Sequence, residues 1–151
     1  MGKGLAMLVM GAFLAANTAL AQSSAPPSRA SGLLGSALSA AESGDRATAM
    51  ARADVAGGVA RDLVEWVLLR GGHGTFVDYT RFLSDKSHWP LINTVRRPAE
   101  GLLADQPPVQ VLDFFGDRTP LTEAGHLAYL DALVATGRAE DAQAHAISLW
   151  T

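Results

Sequence analysis

A chain of 151 residues has the length of one domain, and a hydrophobic content of 48% excludes disorder throughout. The absence of Cys excludes a disulfide scaffold, a Cys-ligated zinc site, a thiol nucleophile and a lipid-modified N-terminal Cys. Twelve basic and fifteen acidic residues give a net charge of −3 without a long block of either sign, which argues against a nucleic-acid partner.

Residues 1–21 read as a secretory signal peptide. Lys3 supplies the positive start, Leu5 to Ala16 the apolar core, and Ala19-Leu20-Ala21 the small-x-small cleavage site. Cleavage is expected after Ala21. The apolar run of about 12 residues falls short of the roughly 20 needed to cross a bilayer, so no stable membrane span is expected. Export without Cys suits the periplasm of a Gram-negative bacterium. Residues 22–32 are rich in Ser, Ala and Pro near their start and read as a flexible lead. The folded part is expected to begin near Leu33.

From there the spacing predicts helix after helix, seven or eight in all, and no strand. Leu33, Leu34, Ala37, Leu38 and Ala41 keep one face of a 3.6-residue period, Gly44 stops that helix, and Asp45 caps the next. Ala47, Ala49, Met50 and Ala53 line the second helix, which ends around Gly57-Gly58. A third runs from Ala60 to Arg70 with Leu63, Trp66, Val67 and Leu69 as its apolar positions, until Gly71-Gly72-His73-Gly74 breaks it. Thr75 caps a fourth helix carrying Phe76, Tyr79, Phe82 and Leu83. Trp89-Pro90 marks the next boundary, because Pro suits a first helical turn. Leu91, Ile92 and Val95 follow, and Pro98 should end or kink that helix. Pro107-Pro108 opens a helix with Val111, Leu112, Phe114 and Phe115, and Gly116 to Pro120 form a turn. The strongest helical segment spans about Leu121 to Thr136, with Leu127, Leu130, Leu133 and Val134 on its face. Gly137 ends it as a left-handed cap. A last helix from Ala139 places Ala142, Ala146 and Leu149 inward.

Two segments resemble each other. Leu38 to Ala53 turns at Gly44, and Asp131 to Ala146 turns at Gly137; each has Ala five, seven and nine residues after its Gly. Small residues at a crossing let two helices approach closely, and Gly supplies the left-handed turn. This is the pattern of TPR-like hairpins, although copies 93 residues apart show no clean period of about 34 residues. The expected fold is all-α: an irregular α-superhelix of TPR-like helical hairpins, with an irregular helical bundle as the alternative.

The segment Leu38 to Ala53, with its Ala-Glu-Ser-Gly-Asp turn, resembles the start of the helical N-terminal region of soluble lytic murein transglycosylases. So does Asp62 to Arg70, followed by the Gly-rich break and Phe76 to Leu83. The run His88-Trp89-Pro90-Leu91 leading to Arg96-Arg97 is similar to the Trp-Pro…Arg-Arg element of that family. The resemblance covers residues 33–151. It implies a periplasmic superhelical scaffold, part of an enzyme that cleaves the bond between N-acetylmuramic acid and N-acetylglucosamine and leaves a 1,6-anhydro product. It also implies a separate lysozyme-like domain with a catalytic Glu, and that domain has no counterpart in these 151 residues. The helical domain is thus expected to be incomplete at its C-terminal end, where Trp150 suggests a missing neighbour.

The candidate chemistry is sparse. Glu42-Ser43 echoes the Glu-Ser pair of that lysozyme-like domain, but it precedes Gly44-Asp45 and lacks the surrounding motifs, so a solvated helix end is the expected role. Glu65 beside Trp66 has the composition of an acid in an apolar setting, yet its helix position turns it partly outward, towards a surface or ion-pair role. Asp62, Asp113 and Asp117 have no partner at diagnostic spacing. His73, His88, His126 and His145 form no metal-binding spacing. His126 and His145 can meet across the last hairpin, although a polar helix surface explains them as well. Gly71 to Gly74 lacks the Lys-Ser/Thr of a phosphate loop. Arg96 and Arg97 are candidates for contact with an anionic glycan or peptide carboxylate, or for ion pairs with neighbouring acids. No catalytic residue, cofactor or metal ligand is expected. The expected function is a non-catalytic scaffold acting on peptidoglycan through the missing domain. The alternative is a stand-alone periplasmic adaptor that binds a protein partner on its concave helical face.

Overall fold

A computed structural model describes residues 29–150. The expected signal peptide, its cleavage site and residues 22–28 lie outside the described residues. The described chain is all helical: α1 (Arg29–Glu42), α2 (Arg46–Ala56), α3 (Gly58–Arg70), α4 (Phe76–Asp85), α5 (Asn93–Glu100), a 3-10 turn (Leu103–Asp105), α6 (Pro108–Phe115), α7 (Glu123–Ala135) and α8 (Ala139–Ser148). No described helix is long and apolar enough to cross a membrane. Helix α1 starts four residues before Leu33, so residues 29–32 belong to it and not to the lead.

The expected caps form. Asp45 accepts from the Thr48 N–H at 3.1 Å, satisfying one of the donors that a helix start leaves open. Thr75 and Asp78 make a reciprocal capping box on α4. Three helices end alike. Gly44, Gly72 and Gly137 have φ of +80°, +86° and +78°. In each case the next residue donates back across the turn: Asp45 to Ala40 O at 2.9 Å, His73 to Leu68 O at 2.9 Å and Arg138 to Leu133 O at 2.8 Å. These paired bonds close the last helical carbonyls in a Schellman turn.

The first three helices pack on one another around Ala37, Ala40, Ala41, Ala49, Ala53, Val64 and Leu68. A second core holds α4 to α7 together around Tyr79, Phe82, Val95, Leu103, Phe115 and Ala132. Helix α3 supplies both: Leu68 faces the first core and Leu69 the second. Helix α1 packs on α2, α2 on α3, α4 on α5, α6 on α7 and α7 on α8, while α1 also meets α3 and α3 packs on α5, which makes the hairpin array irregular.

Several side chains depart from expectation. In both hairpins the alanine five residues after the glycine is buried, whereas the one seven after it is exposed. Two residues are about 200° of helix turn, so Ala51 and Ala144 point away from the faces of Ala49 and Ala142. Ala47 is exposed for the same reason. On α7 the inward face is Gly125, Ala128, Ala132 and Leu133, while Leu127 and Val134 point to solvent at 56% and 62% exposure. That helix is apolar nearly all round, so its pattern carries no direction, and the small residues win the crossing because they admit a close approach. Leu149 is also exposed. Pro90 does not open a helix. Leu91 adopts φ +55°, a conformation that interrupts the chain, and α5 begins only at Asn93. Pro98 sits inside α5, which ends two residues later.

Gly137 tests the turn chemistry in isolation. A Cβ built there meets nothing within 4 Å, so any cost of a side chain is conformational. Gly137→Val is expected to lower stability by about 1–2 kcal/mol, read as a lower urea midpoint with an unchanged m-value. An unchanged midpoint would contradict the left-handed assignment.

Candidate functional site

Three polar centres and two clefts hold the side chains with chemical potential. The first centre joins α2, α3 and α4. Arg81 bridges Glu65 and Asp78, and Arg46 reaches Asp78 at 2.8 Å. Glu65 is 8% exposed, more buried than its helix position suggests, because Arg81 arrives from α4 to cover it. Its role is the expected ion pair. Burial pushes the Asp78 carboxyl up, but the Thr75 N–H and hydroxyl, with Arg46 and Arg81, outweigh burial and hold its pKa below the ordinary value. Glu42 is exposed at the end of α1.

The second centre is the most enclosed. Glu100, at the end of α5, is fully buried. Its carboxylate accepts from the Leu121 N–H at 3.0 Å and from the Thr122 hydroxyl at 2.7 Å. Arg96, one helical turn earlier, lies 3.4 Å from the same carboxylate and donates to Thr119 O at 2.8 Å. Arg97 donates to Leu121 O at 3.3 Å. Burial lowers the pKa of Arg96 from its ordinary value, with Glu100 opposing that shift and Arg118 adding to it. Arg96 is 7% exposed and cannot reach a ligand in solution. Arg97 is exposed, but it too grips the turn before α7. The Arg-Arg pair is therefore a clamp on residues 119–121, and of its two expected roles Arg96 takes the ion pair. The spacing Arg96 to Glu100, four apart on a helix, was the available signal for this centre. What it could not disclose is that Leu121 and Thr122 arrive from across the fold.

The third centre pairs α7 with α8. His126 Nδ1 and His145 Nε2 lie 3.0 Å apart, and Tyr129 meets His145 edge-on with ring centres 5.0 Å apart. The imidazole centres are 5.1 Å apart, so the two nitrogens face each other almost head-on. That geometry suits a proton shared between rings. A metal would need both lone pairs turned to a common third point, and no group of three or more ligating side chains exists among the described residues. His126 and His145 do meet, as their spacing allowed.

Two clefts flank these centres. One, of about 520 Å³, lies between α4 and α6; its buried floor is Leu83 and Phe114, with Phe76 partly exposed, and its open side carries Ser84, Gln110 and Asp113. The other, of about 630 Å³, runs from the turn after α6 to α8 and is polar, with Asp117, Tyr129, Arg138 and His145 in its wall. Asp113 and Arg118 line both. The three buried acids Glu65, Asp78 and Glu100 line neither. The sequence offered no sign of these clefts, since their residues come from four separate elements.

Two measurements follow from these centres. Glu100→Ala leaves the Leu121 and Thr122 donors unpaired and Arg96 buried without its counter-charge, so a loss of about 3–5 kcal/mol in unfolding free energy is expected; a loss below about 1 kcal/mol would show the centre to be dispensable. His145 shifts in the same direction as Asp78, at a higher pH. Burial, then the nearby His126, lower its pKa from the ordinary 6.5, so the folded state favours the neutral ring. The unfolded state takes the proton more readily, and stability is complete above about pH 6.5 and falls as pH drops below it. The urea midpoint should be lower at pH 5.5 than at pH 8, and His145→Gln should flatten that difference.

Comparison of the chain with protein-family models, with curated proteins and with solved structures returns no match, so the candidate site is read from its own geometry.

Proposed function

We propose that this chain is the non-catalytic helical scaffold of a periplasmic protein of the soluble lytic murein transglycosylase type, whose glycan cleavage belongs to a lysozyme-like domain outside these residues. The observation that carries the scaffold reading is the fate of the acids. Cleavage of a glycosidic bond needs a proton donor at the glycosidic oxygen, held where substrate can reach it. Here each buried acid is engaged by protein donors and none of them lines a cleft. The family part of the reading rests on the order of the resembling segments. The Trp-Pro…Arg-Arg run supports it in a further way, because its arginines clamp α5 to the turn before α7, a role suited to a scaffold.

A stand-alone adaptor is the second reading. Val109 and Leu127, 62% and 56% exposed on α6 and α7, favour it by leaving apolar surface for a protein partner. Incubating purified sacculi with the purified chain should yield no 1,6-anhydro-muropeptides, by mass spectrometry, above a heat-denatured control; product would overturn the scaffold reading. The two readings separate on the gene. An in-frame lysozyme-like segment after the Thr151 codon supports the scaffold, and a stop codon there favours the adaptor.

A further inference from the structure

We propose that the two clefts form one continuous groove that binds a neutral oligosaccharide, and that Asp113 is its central contact. Continuity comes from Asp113 and Arg118, which line both clefts, so the path runs from α4 past α6 to α8. Each cleft has the size of an ordinary ligand site, about 300–1,000 Å³, and two end to end suit a chain of rings over a single one.

The lining divides as a sugar does. A pyranose offers an apolar C–H face and a rim of hydroxyls, each of which both donates and accepts. The first cleft supplies an apolar floor from the Phe76 and Phe114 rings, whose centres lie 5.9 Å apart. Its open side supplies the Ser84 hydroxyl, the Gln110 amide and the Asp113 carboxylate. Along the second cleft Tyr129 and Arg138 donate and Asp117 accepts.

Charge decides against an acidic ligand. Two acids, Asp113 and Asp117, face two bases, Arg118 and Arg138. Arg138 already pairs with Asp141 at 2.7 Å. Arg118 already donates to the carbonyls of Phe115 and Phe114, at 3.2 and 2.5 Å. Those carbonyl bonds leave the Arg118 charge in place, but with Arg138 paired to Asp141 the carboxylates of Asp113 and Asp117 outnumber it, and that negative excess disfavours a phosphate or an acidic peptide. Asp113 and Asp117 enter no ion pair, and acceptors of that kind match hydroxyl and acetamide N–H donors. The choice of an acetamido sugar rests on the scaffold reading above; the groove itself does not.

The test titrates the ¹⁵N-labelled chain with the β-1,4-linked tetramer of N-acetylglucosamine and follows backbone amide shifts. Movement centred on residues 110–118 and on Arg138 is expected, with binding in the millimolar range or tighter. Asp113→Ala should weaken it by about tenfold, the loss of one good hydrogen-bond set in a ligand site. Gln110→Ala, a second exposed position, should weaken it less. Asp54→Ala, on α2 and in the wall of neither cleft, should leave it unchanged. Absent shifts at these residues, shifts unaffected by both groove variants, or tighter binding of a glutamate-rich peptide would each overturn the proposal. A failure here, with an in-frame lysozyme-like segment after Thr151, discards the groove alone. Sacculus cleavage by the chain discards the scaffold reading and leaves the groove standing.

Discussion

The position of α7 depends on a single buried carboxylate. Glu100 sits where the α7 backbone begins. It takes the Leu121 N–H and the Thr122 hydroxyl, while the Thr122 hydroxyl in turn accepts from the Gly125 N–H at 3.0 Å. A Cβ on Gly125 would land on the Glu100 carboxylate, so glycine is required there by close approach. An anion at a helix start is favoured by the open N–H groups and the helix dipole. A buried charge is tolerated only with such partners, since desolvation alone costs several kcal/mol. Arg96 completes the set from the same helix. Because α7 carries α8 and walls the polar cleft, the placement of everything after residue 120 follows from this contact.

How much of this was legible in the sequence depends on the range of the interaction. Turns were readable because their chemistry is local: Gly44 and Gly137 take the left-handed conformation, and Asp45 and Thr75 cap, for reasons contained within four or five residues. The faces of α7 were not, because Leu127, Leu130, Leu133 and Val134 make one face of large apolar groups while Gly125, Ala128 and Ala132 make another of small ones, and the choice of the small face for the interior is made by the elements opposite. Leu91 illustrates another limit. Trp89-Pro90 signals a break, but the sequence does not say that a leucine will absorb the left-handed turn that delays α5 to Asn93. Among the site residues, Glu65 and Arg96 were visible as charges with nearby apolar neighbours; their burial comes from Arg81 and from residues 119–122, distant in sequence.

The distribution of polar groups separates fold from function. Glu65, Asp78 and Glu100 are buried and answered by protein partners, and buried Arg96 is engaged through its Nη2, which fixes geometry and keeps these groups from solvent. Gln110, Asp113, Asp117 and Tyr129 lie along open surface on a rigid frame. Binding residues placed on helices that are themselves locked by buried pairs are held with little loss of freedom on ligation. This construction is what the proposed scaffold and groove require.

Helix α3 has a consequence for how the molecule comes apart. In an ideal solenoid each repeat touches only its neighbours, and end repeats can melt while the middle stays folded. Here adjacent residues of one helix, Leu68 and Leu69, serve two different cores, and the Tyr79 hydroxyl ties the second core to the Leu69 carbonyl at 2.8 Å. Neither half owns a complete interior without that helix. A nick in the glycine-rich turn between α3 and α4 would therefore leave the first core whole in the N-terminal fragment and take Leu69 from the second, so the C-terminal fragment would depend on the first, and complementation would proceed through the surface of a single helix.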